Sequence, residues 1–155
     1  MITVEVEVKG IQGVINGLNN LKTNISNAQE PLTKSGKYMQ MEAAANFPEE
    51  GKRFGEPWKE LTKETLRRKK KEGYEGMPMM LRKGELKKSF FFNVSKNKAE
   101  VYNPVSYATE HQNIGVGYKL TKRVLLKLAK RQIIGIRDIF TNWIVGSIKK
   151  SFSSK

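Results

Sequence analysis

The sequence predicts a single domain that contains both helices and strands. Residues 2–9 alternate apolar and polar side chains with the period of a half-buried strand. Residues 88–94 and 99–102 predict a β-hairpin, and residues 137–152 repeat apolar side chains at the spacing of an amphipathic helix. A chain of 155 residues has the usual size of one domain, so we assign residues 1–155 to it.

The segment after the first strand predicts helix. Apolar residues recur at steps of three and four from Ile11 to Ala43. Pro31 is tolerated in the first turn of a helix but is unfavourable inside one. Residues 11–46 therefore form either one kinked helix or two consecutive helices.

Residues 48–85 predict an extended loop. Three prolines and five glycines interrupt this segment, and loops of such length are usually functional or disordered. One short helix is expected near residues 59–71, with Thr62 as its cap. We expect residues 63–80 to be mobile in the free subunit.

Two later segments are shorter. Residues 107–112 predict a helical turn. Residues 120–129 are compatible with a strand or a helix, and the spacing of their apolar side chains favours a helix.

The apolar stripe of the C-terminal helix has two interpretations that can coexist, core packing as the default and an oligomer face as the alternative.

The chain is strongly basic, with 29 Lys and Arg against 15 Asp and Glu and a net charge of +14. Such an excess attracts nucleic acid, an acidic protein surface or a membrane surface, and charge alone does not choose among them. The run in the predicted loop supplies the candidate phosphate contacts: Arg67, Arg68, Lys69, Lys70 and Lys71. The alternative is a solvated loop that nearby glutamates partly neutralise.

The sequence predicts no enzyme, metal site or cofactor. There is no cysteine, and His111 is the only histidine, so a nucleophile or metal centre has almost no residues from which to form. The neighbouring Glu110 would face away from His111 on a helix, which favours a structural histidine. We also expect no signal peptide, because neither a basic leader nor an apolar stretch follows Met1. No apolar run is long enough to cross a bilayer, so we expect no membrane partner.

Three segments in a fixed order resemble the phage virion morphogenesis family, which includes tail-completion and head–tail joining proteins of Mu-like and P2-like phages. The first is Phe54-Gly55-Glu56-Pro57-Trp58-Lys59-Glu60-Leu61-Thr62. The second runs from Leu81 through Gly84 and Leu86 to Ser89, and the third is Tyr107-Ala108-Thr109-Glu110-His111-Gln112-Asn113-Ile114-Gly115. A weaker similarity covers Arg131 to Asp138. The departures from the family pattern are Phe54 directly before its glycine, Lys83 in place of threonine, an added residue in Asn113-Ile114 before Gly115, Gln132 in place of proline and Ile133 in place of phenylalanine.

The resemblance implies an α+β fold with a long N-terminal helix and a C-terminal helix packed on a small antiparallel sheet, with a long mobile basic loop. It implies a structural virion assembly protein that acts in tail completion or head–tail joining as a homo-oligomer, often a hexameric ring. Its partners would be other phage tail or neck proteins, with non-specific DNA contact. Its location would be the host cytoplasm during assembly and then the virion. The alternative function is a basic nucleic-acid-binding protein of a mobile element or prophage.

Five residues are candidates for contacts with another subunit or partner: Trp58, Leu61, Tyr107, His111 and Trp143. Trp58 and Leu61 are apolar residues in a polar loop, so they could anchor it onto the body or onto a neighbouring subunit. Tyr107 and His111 share one face of the predicted helical turn. Trp143 belongs to the C-terminal stripe. We expect Trp58→Ala to disturb assembly more than folding.

Overall fold

The computed structural model describes residues 11–112 and 121–153. The fold is α+β, with helices at both ends of the described chain and a two-stranded antiparallel sheet between them. The elements are α1 (Ile11–Ile25), α2 (Gln29–Ala45), a 3-10 helix (Lys52–Phe54), α3 (Lys63–Lys71), α4 (Glu85–Lys88), β1 (Phe91–Ser95), β2 (Lys98–Tyr102), α5 (Ser106–Gln112) and α6 (Lys130–Ser153). The predicted strand 2–9 and the end of the third motif lie outside the described residues.

The N-terminal helical segment is two consecutive helices. The chain leaves helical geometry between Ile25 and Gln29, where the Asn27 Oδ1 accepts a hydrogen bond of 3.0 Å from the Gln29 N–H. Pro31 lies in the first turn of α2, where its missing N–H leaves no helical hydrogen bond unmade. Of the two arrangements that the sequence allows, the structure thus has the pair of helices and not the single kinked helix.

α2 lies at the centre of the subunit, with the β-hairpin on one side and α6 on another. The hairpin pairs Phe91 with Tyr102 and Ser95 with Lys98, as the sequence predicts within a few residues. Gly36 of α2 lies directly beneath a hairpin ring, because a Cβ there would be 2.6 Å from Phe92. The buried core around this helix consists of Met39, Ala43, Phe47, Phe54, Trp58, Leu86, Phe90, Ala108 and Leu125.

The segment 48–85 contains the 3-10 helix, α3 and several tight turns. Gly51 has a φ of +90°, and its carbonyl accepts hydrogen bonds from the N–H groups of Phe54 and Glu56, each at 3.2 Å. α3 begins as predicted, since the Thr62 Oγ1 accepts a hydrogen bond of 3.2 Å from the Thr65 N–H. The mobility of this segment in the free subunit stays a prediction.

The prediction of a helix over residues 120–129 is wrong for the described part, residues 121–129, which has no regular secondary structure. Side chains from elsewhere satisfy its backbone instead. The Gln112 Oε1 accepts hydrogen bonds from the N–H groups of Leu125 and Leu126 at 2.7 and 3.0 Å, and its Nε2 donates to the Leu126 carbonyl at 2.6 Å. The Val124 carbonyl accepts from the Asn46 Nδ2 and the Trp58 Nε1, both at 3.0 Å.

α6 begins at Lys130, earlier than predicted, and runs antiparallel to α2. A buried polar group ties the two helices together, because the Gln132 Nε2 donates to the Glu42 Oε2 at 2.6 Å. The second carboxylate oxygen of Glu42 accepts from the Arg53 guanidinium at 2.7 Å. The charge of this buried carboxylate is therefore paired, as burial requires.

Candidate assembly interface

α1 and α6 pack against each other through small and polar side chains. Gly17 is the only buried residue of α1, and the buried residues of α6 are Gln132, Ser147 and Ser151. The Asn24 Nδ2 donates a hydrogen bond of 2.9 Å to the Ser151 Oγ, and the ring of Phe152 lies where a Cβ on Gly17 would be. The fully buried positions of these two helices are therefore small or polar.

Many apolar side chains of both helices are exposed. We call two sets of them the α1 face and the α6 face. The residues of the α1 face are 42–58% exposed, and they are Ile11, Val14, Ile15, Leu18 and Ile25. Those of the α6 face are 38–55% exposed, and they are Ile133, Ile134, Ile144, Val145, Ile148 and Phe152. Exposed apolar side chains grouped on one side of a helix often mark an interaction site.

The α1 face has the spacing of a coiled-coil seam. Ile11, Leu18 and Ile25 are seven residues apart, and Val14 lies three residues after the first of them. Sequence reasoning found the helical pattern here but did not name these residues as a site. The signal was available, because Lys22 is the only charged residue of this helix and a solvent-facing helix normally carries more charge on its outer surface.

Trp58 is a core residue of the subunit. Its side chain is 5% exposed, its ring meets Phe47 edge-on with centroids 5.4 Å apart, and its Nε1 donates to the Val124 carbonyl. Trp58 therefore anchors the loop onto the body of its own subunit, one of the two arrangements that the sequence allows. Leu61 is half-buried and lines a groove beside α3, together with Leu66, Tyr74, Met77 and Met79.

Tyr107 and His111 lie together on α5, edge to face, with ring centroids 6.4 Å apart. The Tyr107 hydroxyl donates to the Glu85 Oε2 at 3.2 Å, and the His111 carbonyl accepts from the Arg123 N–H at 2.8 Å. Burial, and to a lesser extent Arg123, lowers the pKa of His111. Within the subunit these residues hold α5 against its neighbours, and a partner contact for either stays a prediction.

Trp143 is half-buried on α6, edge-on to Phe140 with centroids 6.3 Å apart. It borders a cleft between α6 and the start of α2, which Glu30 and Lys34 also line. Part of the Trp143 ring is thus open to a partner, and its role as an interface residue stays a prediction.

The candidate phosphate contacts separate into two groups. Lys69 is 4% exposed, and its ammonium donates to the carbonyls of Met77 and Pro78 at 2.6 and 3.1 Å. Burial, with a smaller contribution from Arg82, lowers the pKa of Lys69. The prediction for Lys69 is therefore wrong, because the turn that follows α3 folds back and occupies its donors. The remaining four are exposed, namely Arg67, Arg68, Lys70 and Lys71.

The described residues offer no metal centre and no membrane span. Within residues 11–112 and 121–153, no three His, Cys, Asp or Glu side chains are placed so that they could hold a metal ion. The same part of the chain contains no helix that is long and apolar enough to span a bilayer.

Comparison with known proteins identifies the family of the chain. The model of the phage virion morphogenesis family matches residues 8–153, nearly the whole chain. No curated protein and no solved structure gives a significant match. A match of this extent confirms the resemblance seen in the three sequence motifs, and it supports a structural role in phage assembly. The chain belongs to the phage virion morphogenesis family.

Proposed function

We propose that the chain is a structural subunit that completes the phage tail or joins head and tail, and that it acts in a ring of copies. The carrying observation is the outward apolar surface of α1 and α6 in a member of a virion morphogenesis family. A ring requires two different surfaces on each subunit, and in this proposal the exposed apolar faces of α1 and α6 serve as those surfaces. In this proposal its other partners are tail or neck proteins, and it passes from the host cytoplasm into the virion.

Deletion of the gene from the phage or prophage that carries it tests this proposal. Electron microscopy of the lysate should show heads and tails that accumulate separately, and the wild-type chain supplied in trans should restore joined particles. Leu18→Glu should fail to restore them. The matched control is Leu66→Glu on α3, since Leu66 is 53% and Leu18 54% exposed. Complete, infectious particles from the deletion strain would contradict the proposal.

A second candidate function, a nucleic-acid-binding protein of a mobile element, is favoured by one observation. Arg67, Arg68 and Lys71 are exposed on one side of α3, next to the exposed Lys70. In the ring proposal the same side chains would contact phosphates of passing DNA without reading bases. Both functions therefore use this surface, but they require different affinity for DNA and different selectivity among DNA sequences.

Fluorescence anisotropy with duplex DNA over a range of salt concentrations separates the two functions. The assembly proposal expects weak binding that collapses with salt. Each of Arg67→Ser, Arg68→Ser and Lys71→Ser should make the plot of log affinity against log salt shallower by about 0.9, because one fewer phosphate is neutralised. The control removes three cations elsewhere, at Lys37, Lys96 and Lys98. Tight binding that distinguishes sequences near physiological salt would favour the second candidate.

A further inference from the structure

The α1 and α6 faces differ in their charge. α1 carries Lys22 as its only charged residue. α6 carries one acidic residue, Asp138, and five basic residues, which are Lys130, Arg131, Arg137, Lys149 and Lys150. Arg131 lies 3.6 Å from Glu42 and Arg137 lies 3.2 Å from Asp138, but basic residues still outnumber acidic ones on the helix. Two α6 faces brought together would add to this positive charge, and like charges at an interface weaken binding.

The near-neutral α1 face is a better partner for the α6 face. The long side chains of Arg137 and Lys149 can lie along apolar surface while their charged ends stay in water. A contact between two α1 faces would also avoid repulsion, but it would leave every α6 face exposed. Pairing α1 with α6 covers both faces with one type of contact.

The areas of the two faces match one standard interface. Such an interface covers about 800 Å² on each partner, and a little over half of that area is nonpolar. The five side chains of the α1 face, each about half exposed, offer on the order of 400 Å² of nonpolar surface, and the α6 face offers a similar amount. Each face therefore provides the nonpolar part of a single interface with another protein.

We infer that the α1 face of one copy packs against the α6 face of the next copy. This inference rests on the proposed function, because it names the partner of the surface on which that function depends. Where the two faces of one copy contact two different neighbours, the contact is heterologous and successive copies close into a ring, whereas two copies that engage each other through both faces form a two-fold dimer. This contact depends most on Leu18 and Ile25 of the α1 face and on Val145 and Ile148 of the α6 face.

Disulfide crosslinking between full-length variants tests this packing. The chain has no cysteine, so every disulfide comes from introduced residues. One chain carries Leu18→Cys and the other Val145→Cys, and the two are mixed at high concentration and oxidised. A disulfide requires Cα atoms within about 7 Å, so a covalent dimer reports direct contact between two copies. The expected product is the mixed dimer, with little dimer from either variant alone.

A small panel allows for the unknown register of the two helices. Cysteine at Val14, Leu18 or Ile25 is paired with cysteine at Ile134, Val145 or Ile148, and at least one mixed pair should crosslink. Leu66→Cys on α3 is the background control, since Leu66 and Leu18 are almost equally exposed. Dimers of Leu18→Cys with itself would overturn the inference in favour of α1–α1 contact. Crosslinking no higher than the Leu66→Cys background throughout the panel would also overturn it.

The crosslinking result and the deletion phenotype are independent. Failure of every mixed pair while the deletion strain still accumulates separate heads and tails would remove this packing and leave the proposed function standing. Mixed crosslinks from a chain whose deletion leaves particles complete would support this packing and contradict the proposed function. The two experiments therefore distinguish an error in the interface from an error in the function.

Discussion

The body of the subunit around α2 and the pair formed by α1 and α6 place their apolar side chains in opposite ways. In the body, Phe47, Phe54 and Trp58 point inward and are almost fully buried. In the helix pair, the fully buried positions are Gly17 and Ser147 among other small or polar residues, and most of the branched apolar side chains are exposed. The body covers its own core, whereas the helix pair leaves surface that another molecule would cover.

Covering one such face contributes a large gross free energy of association. The net free energy is small, because association also has entropic costs. At about 25 cal/mol per Å², burying on the order of 400 Å² of nonpolar surface on each of two partners would contribute roughly 20 kcal/mol. Lost translational and rotational freedom costs about 4–15 kcal/mol, and ordering of side chains costs more. Association through one interface would thus be modest, and ring closure would add a second interface for each subunit.

The largest expected effect of a substitution lies in the body, at Trp58. Trp58→Ala removes an aromatic ring that packs on Phe47 and the hydrogen bond to the Val124 carbonyl. We expect a loss of about 3–5 kcal/mol in the free energy of unfolding, measured by urea denaturation. The sequence led us to expect that this variant would affect assembly more than folding. Because Trp58 is buried, we now expect the larger effect on folding.

Trp143→Ala is the matched control for Trp58→Ala, because Trp143 is only half-buried on α6 and its described ring contact is with Phe140 of the same helix. Its unfolding free energy should fall by clearly less. Equal losses for the two variants would show that the α1–α6 side of the subunit is packed as tightly as the body.

A somewhat smaller effect is expected at the turn that leads into Trp58. Gly51→Ala would place a Cβ 2.2 Å from the Glu56 carbonyl oxygen at a φ of +90°, so we expect a loss of about 2–4 kcal/mol. Gly55 has a φ of +72° with no atom within 4 Å of an added Cβ, so Gly55→Ala should lose about 1–2 kcal/mol. Urea denaturation of both variants measures the difference. A Gly55→Ala loss as large as that of Gly51→Ala would refute the close packing of this turn.

A smaller, pH-dependent effect is expected at His111. Its pKa in the folded subunit lies below the ordinary value of 6.5, because burial and then Arg123 disfavour the charged ring. The unfolded chain therefore binds the proton more readily, so this stabilising contribution is complete above pH 6.5 and is lost as the pH falls toward the lower folded pKa. Unfolding curves at several pH values should show a steeper loss of stability below pH 6.5 for the wild type than for His111→Gln. Parallel profiles would show that His111 is not buried as described.

The smallest effect on the isolated subunit is expected on the α1 face. Leu18→Glu changes an exposed position in a helix, and leucine and glutamate have similar helix propensities, so its unfolding free energy should change by no more than about 0.5 kcal/mol. Its assembly should nevertheless weaken strongly, because the interface loses the apolar side chain of Leu18 and has to desolvate a carboxylate, a cost that a basic side chain of α6 offsets only in part. Sedimentation at high concentration with Leu66→Glu as the control tests this. Normal assembly of Leu18→Glu would remove α1 from the interface.

Local patterns in the sequence were enough to predict much of the secondary structure. The hairpin follows from strand-forming residues around a short turn, and the start of α3 follows from the capping hydroxyl of Thr62. The C-terminal helix follows from its apolar spacing. Each of these depends on residues within a few positions of one another, which a single sequence displays directly.

The errors arose where distant residues decide the structure. Residues 121–129 have helical spacing, but side chains of Asn46, Trp58 and Gln112 supply hydrogen bonds that hold the backbone without a helix. Lys69 resembles its exposed basic neighbours in the sequence, but the turn at Met77 folds back onto it. In the same way, the stripe of α1 is visible in the sequence, but only the packing shows that it faces outward.

Hydrogen exchange in the free and the assembled subunit tests the contrast between the two regions most directly. Amides in the middle of α1, around Leu18, should gain strong protection on assembly, because a neighbouring copy then covers the helix and suppresses its opening. Amides of α2 around Ala43 should change little, because the body is already closed. Equal protection of α1 in both states would contradict the account, since its apolar face would then gain no partner.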